Sequence, residues 1–115
     1  MTKIVIWHNP RCSKSREALK LLDQKGVEPE IRPYLADPPS ADEIRDALKK
    51  LGIRPIEMMR TKEKKFRELG LNKDDDDETL IRAMVENPVL IERPIVFAGD
   101  RAAIGRPPEA VLEIL

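Results

Sequence analysis

Residues 8–16 read HNPRCSKSR and hold the only cysteine and the only histidine of the chain. Cys12 is followed by Ser13 and Ser15, flanked by Arg11 and Arg16, and preceded by His8 across an Asn-Pro step. A cysteine in the first turn of a helix meets unsatisfied backbone N–H groups and the positive end of the macrodipole, which favour its thiolate. The same N–H groups, with the hydroxyls of Ser13 and Ser15, are suited to an oxyanion. His8 would add a positive charge or move a proton. Residue types alone leave a second reading of Cys12 open, as a small buried side chain without chemistry.

Two patterns are absent, and their absence narrows the chemistry. A phosphate-cupping C-x5-R arrangement would need arginine at position 18, where alanine stands. A C-x-x-C redox pair would need cysteine at position 15, where serine stands. A lone thiolate forms one covalent adduct and has no internal partner to resolve it. Any redox cycle therefore takes its second thiol from another molecule.

The elements that must position this stretch follow from patterning. Residues 3–7 form a short, β-branched apolar run, as in a strand covered on both faces. HNP ends it, and a helix is expected from Cys12 or Ser13, with Ser15, Ala18, Leu19 and Leu22 on one face and Lys25–Gly26 as its stop. Residues 27–35 (VEPEIRPYL) read as a second strand, edge or bulged because of its prolines. Ser40 and Glu43 make a capping-box pattern before an apolar stripe of Ile44, Ala47, Leu48 and Leu51. Residues 54–87 read as helical and charged. DDDDE at 74–78 lacks the ligand spacing and glycine of a calcium loop and fits a helix start. RPIVFAGDRAAIG at 93–105 reads as a hairpin turning at Gly99–Asp100, and RPPEAVLEIL as a closing helix.

Composition sets the outer bounds. The chain has 115 residues, long enough for a core without staples, and its 21 basic and 21 acidic residues cancel. A balanced charge offers no steering to nucleic acid or an anionic membrane, so any anion must be held by a local cluster of cations. No stretch approaches the ~18 apolar residues of a membrane span, and no signal peptide is evident at the start. One cysteine fits a reducing compartment. A soluble, cytoplasmic, single domain over residues 1–115 is expected, with a helical segment at about 40–88 and no metal or bound cofactor.

The chain also resembles a known family. HNPRCSKSR is similar to the active-site segment of the glutaredoxin-coupled arsenate reductases, the ArsC family. The likeness continues in order through YLADPPSADEI, LGI, MMRTKE, LGL, NPVLIERPIV and GRPPEAVLEIL. With Arg11 and Lys14 present, HNPRCSKSREAL stands closest to a short housekeeping branch. The resemblance implies an α/β, thioredoxin-like fold (β-α-β, a helical insertion, β-β-α) with a mixed central sheet. It implies Cys12 as nucleophile, His8 as a residue that keeps it ionised, and Ser15 as a hydroxyl beside its sulfur. Arg60, Arg93 and Arg106 match the oxyanion-binding arginines, and Pro94 the cis proline of the fold, with Ser13 and Arg16 supporting. Arsenate or a similar oxyanion is the implied substrate, glutathione the co-substrate, glutaredoxin the partner, and the protein a monomer. Two other readings share the fold: a redox-responsive regulator of the Spx type, whose C-x-x-C switch Ser15 precludes, and a monothiol oxidoreductase acting on glutathionylated substrates.

Overall fold

A computed structural model of the chain describes residues 3–115. It resolves into two compact units, one built from residues up to Asp37 together with Arg93–Leu115, the other from Pro38–Glu92.

The first unit holds a four-stranded sheet. Strands β1 (Ile4–Trp7), β2 (Glu30–Arg32), β3 (Ile95–Ala98) and β4 (Arg101–Ile104) lie in the order β2-β1-β3-β4. β1 pairs parallel with β2 and antiparallel with β3, and β3 pairs antiparallel with β4. The sheet is mixed, as the resemblance implies. In the hairpin Ile95 faces Ile104 and Ala98 faces Arg101, a register closed by Gly99, whose φ of +63° suits glycine.

The β-α-β start follows its sequence signals. Helix α1 (Ser13–Gln24) has Cys12 as its N-cap and buries Ser15, Ala18 and Leu22, the spacing of one helical face. It stops where Val27 N–H returns to the Leu22 carbonyl at 2.9 Å and Gly26 takes a φ of +74°. Ala18 and Leu22 pack with Ile6, Val96, Ala98, Val111 and Ile114 as the core of this unit. Full burial of Leu22 contributes about 1.5–3 kcal/mol.

Three expected elements come out shorter or tighter. The strand expected over 27–35 keeps only Glu30–Arg32, because Pro29 and Pro33 bracket it and neither has an N–H to pair. The chain end forms a 3-10 helix, Pro108–Ile114, in place of an α-helix. The segment 54–87, expected to be helical and charged, holds only short helices, and it belongs to the second unit.

That unit contains α2 (Ala41–Leu51), a 3-10 turn at Pro55–Met58, α3 (Lys64–Glu68), α4 (Asp77–Glu86) and a 3-10 turn at Pro88–Leu90. Ser40 accepts from Glu43 N–H at 3.2 Å and the Glu43 carboxylate returns to Ser40 N–H at 3.0 Å, completing the expected capping box. Gly70, with a φ of +68°, ends α3 after five residues. Asp76 caps α4 by accepting from Thr79 N–H at 2.8 Å, with Asp77 and Glu78 in its first turn. The acidic run is thus a helix start. Ile44, Leu80, Met84, Met58, Leu90 and Ile91 are fully buried here.

Candidate active site

β1 ends at Trp7, and the chain must turn before α1 begins at Ser13. This places Cys12, the extended N-cap, at the first helical turn, with the residue 8 % exposed. Burial pushes its thiol pKa up. The backbone N–H of Ser15, the charge of Arg93, the backbone N–H of Lys14 and the charge of Arg106 outweigh that, and the thiol lies below its ordinary value. The side chain makes no geometrically ideal capping hydrogen bond, so these N–H groups act on the sulfur chiefly as aligned dipoles.

Arg93, just before β3, and Arg106, just after β4, carry the two charges that act on the sulfur. Arg106 Nη2 lies 3.9 Å from Cys12 Sγ, and its Nε donates to the Arg93 carbonyl at 3.0 Å. Both arginines precede a proline across a cis bond, Arg93–Pro94 and Arg106–Pro107. The first matches the expectation for Pro94, and the second was not foreseen. One position beyond the β3–β4 ladder, Gly105 N–H donates to the Pro94 carbonyl at 2.9 Å. A Cβ on Gly105 would stand 2.6 Å from Pro94 Cγ, so only glycine allows this approach. Gly105 escaped the sequence reading, although a glycine directly before the second Arg-Pro is a visible cue.

His8 and Ser15 are both buried, at 8 % and 0 % exposure, and their side chains meet at 2.7 Å through His8 Nδ1 and Ser15 Oγ. The hydroxyl donates when the imidazole carries its proton on Nε2 and accepts in the other tautomer. Burial first, and the charge of Arg16 second, push the His8 pKa below its ordinary value. Both causes bias the His8 imidazole toward its neutral form. Ser15 ties the turn to α1 through its side chain. Its hydroxyl is engaged by His8 and by the Asn9 N–H at 3.0 Å, and it is the backbone N–H of Ser15 that favours the thiolate.

The remaining expected residues divide by position. Ser13 is exposed in the first turn of α1. Arg16 donates from Nη1 to the Pro10 carbonyl at 2.9 Å, bracing the turn. Arg60 lies in the second unit, where it pairs with Glu63 at 3.1 Å, reaches the Val89 carbonyl at 3.4 Å, and is held through its N–H by the Leu90 carbonyl at 2.8 Å. Within the first unit, then, the fold gathers Cys12, His8, Ser15, Arg93, Pro94 and Arg106. Asn9 was missed as well, though Asn before Pro marks a turn with a side-chain acceptor. Among the described residues no group of three or more His, Cys, Asp and Glu side chains is placed to hold a metal ion. No helix among them is long and apolar enough to cross a membrane.

Cys12 thus stands at a helix N-terminus with the Arg106 guanidinium 3.9 Å from its sulfur. The ArsC family profile matches residues 7–114. The chain belongs to the ArsC family. Among its ArsC-family relatives, an arsenate reductase of Haemophilus influenzae is 52% identical, covering 97% of this chain and 98% of its own length. A protein of Escherichia coli K12, YfgD, is 57% identical over 100% of this chain and 99% of its own. The structure of an arsenate reductase from Vibrio cholerae superposes with a TM-score of 0.96 at 47% identity, covering 99% of this chain and 98% of that one. The ArsC-type, thioredoxin-like fold is thereby established for this chain.

Proposed function

We propose that this chain is an arsenate reductase in which Cys12 is the nucleophile. The observation that carries the reading is the Arg106 guanidinium 3.9 Å from a sulfur already biased toward thiolate by Ser15 and Lys14 N–H groups and by Arg93. Relatives named arsenate reductase at 47–52% identity over nearly their whole length support it. Arg93 and Arg106 bind the tetrahedral oxyanion, since a guanidinium fork matches its oxygen pairs. The family resemblance adds Arg60 to the ligands.

In the first step the Cys12 thiolate forms a bond to arsenic while an arsenate oxygen, protonated, leaves as water. Glutathione then displaces a second oxygen and forms an S–As bond. Glutaredoxin's thiolate attacks the glutathione sulfur, breaking the S–As bond. The electron pair stays on arsenic, which becomes trivalent, and a glutaredoxin–glutathione mixed disulfide departs. Water releases arsenite and returns Cys12 as thiolate. The external thiols are needed because Cys12 has no cysteine partner in the chain. Such a cycle belongs in a reducing cytoplasm, and the enzyme acts as a monomer with no bound cofactor.

Incubation with arsenate, glutathione and glutaredoxin should yield arsenite, and Cys12→Ser should abolish it. Cysteine-independent arsenite formation, or none above background, would reject the reading. Arg93→Ala separates it from a monothiol oxidoreductase, since arsenate turnover should collapse while thiol exchange at Cys12 persists. Arg60→Ala should lower arsenate turnover and leave the alkylation rate of Cys12 as it is.

A further inference from the structure

The turn between β1 and α1 directs its polar groups through one residue. Asn9 N–H donates to Ser15 Oγ at 3.0 Å, the Asn9 carbonyl accepts Cys12 N–H at 3.0 Å, and Asn9 Oδ1 accepts Arg11 N–H at 3.0 Å. Pro10 has no N–H, so the Arg11 amide is the first one after Asn9. It stands two residues on, the spacing of an Asx turn. A residue before proline also avoids the helical region, which keeps residue 9 extended and outside α1.

We infer that Asn9 is a positioning residue for the Cys12 thiolate. Its side-chain oxygen locks the turn, and the locked backbone of residue 9 then works in two directions. Toward α1, its N–H fixes the hydroxyl of Ser15, whose own backbone N–H acts on the sulfur. Toward the nucleophile, its carbonyl occupies the Cys12 N–H and so sets the direction in which Sγ leaves the N-cap. The Lys14 and Ser15 N–H groups then act on the sulfur from the first turn of α1. An uncharged acceptor is required here. A carboxylate would make the same turn and set a negative charge beside the group that must ionise.

The turnover part of this inference rests on the arsenate reading above, and the alkylation and exchange parts do not. Asn9→Ala should speed hydrogen exchange at the Arg11 amide and move the pH profile of Cys12 alkylation upward. Its kcat/KM for arsenate should fall on the order of ten- to a hundredfold, the scale of an ångström's misplacement. Asn9→Asp keeps the acceptor, so it should restore protection of the Arg11 amide. Its alkylation profile should lie above the wild type at low salt and approach it at about 1 M salt, where the screening length is about 3 Å. A wild-type alkylation profile in Asn9→Ala would overturn the inference. So would an Asn9→Asp profile at high salt that lies no nearer the wild type than that of Asn9→Ala. Should Asn9→Ala fail to fold, Asn9→Asp decides alone through its amide protection and the salt response. A wild-type protein that makes no arsenite refutes the activity and leaves these readouts able to judge Asn9.

Discussion

Replacing Gly105 with alanine tests how the arginines are held. The added methyl would meet Pro94 Cγ at 2.6 Å, Pro94 Cδ at 3.2 Å and Val111 Cγ1 at 3.3 Å. Carbon atoms pack best at about 3.5–4.0 Å, so the closest contact is short by about 1 Å. A change of ring pucker can move Pro94 Cγ only by a fraction of the shortfall and leaves Cδ and Val111 Cγ1 close, and the Pro94 carbonyl is tied to Gly105 N–H at 2.9 Å. The two strand ends must therefore part by about the missing distance, at a cost of about 1–3 kcal/mol. Arg106 is the next residue, and the same movement draws it from the Arg93 carbonyl and from Cys12 Sγ. Urea unfolding should report the lost stability. The Cys12 alkylation profile should move to higher pH, and arsenate kcat/KM should fall by about 10²-fold, as expected for a 1 Å displacement at a reacting centre. Gly26→Ala provides the contrast, since a φ of +74° strains alanine there but no atom lies within 4 Å of the new methyl. It should lose stability while its alkylation profile stays put. Gly105→Ala with wild-type stability and an unmoved alkylation profile would refute the reasoning.

Removing a single guanidinium, in Arg106→Ala, should raise the alkylation pKa of Cys12, because its charge is one of the forces that favour the thiolate. The same ionisation predicts a pH-dependent stability. An acid whose pKa is depressed by folding stabilises the fold fully above its unfolded value, about 8.5 for cysteine, and loses that stabilisation as pH falls through the lower folded value. The unfolding free energy of the wild type minus that of Cys12→Ser should accordingly rise with pH across that window, and a flat difference would contradict the shift. His8 gives a slope of the same sign in a lower window: a base whose folded pKa is depressed resists protonation, so stability relative to His8→Gln should fall as pH drops below about 6.5. In the second unit, Ser40→Ala removes the acceptor for Glu43 N–H and should cost about 1 kcal/mol, measurable by thermal unfolding.

Local signals were the legible ones. The apolar run at 3–7, the Asn-Pro step and the helical spacing of Ser15, Ala18 and Leu22 located the β1–α1 junction and put Cys12 at its mouth. The Gly-Asp turn located the hairpin and the Ser40–Glu43 pair located α2. What local pattern left dark is what depends on distant chain. Arg93 and Arg106 are surface residues by type, and only the family likeness or the folded register singles them out from 21 basic residues. The charge of His8 also depends on burial and on Arg16, neither of which a turn sequence reveals. Residues 54–87 read as helical because their polarity and propensity suit helix, while Pro55, Gly70 and the turn at Asn72–Asp75 keep the helices there short.

The hairpin also works as a ruler. Gly99 and Asp100 lie at the far end of β3 and β4 from the Arg-Pro steps, about 20 Å of extended chain from Arg93 at about 3.3 Å per residue. Yet the two-residue turn decides that Ile95 meets Ile104, and hence that Gly105 meets Pro94 and Arg106 arrives at the sulfur. Side chains alternate faces along a strand, so adding one residue to the turn would slide β4 by one step and turn its side chains to the opposite face. A glycine would then fall where the guanidinium belongs. The length of a distant, solvent-facing turn is in this sense part of the active site, and an insertion there should silence the enzyme without touching a residue near Cys12.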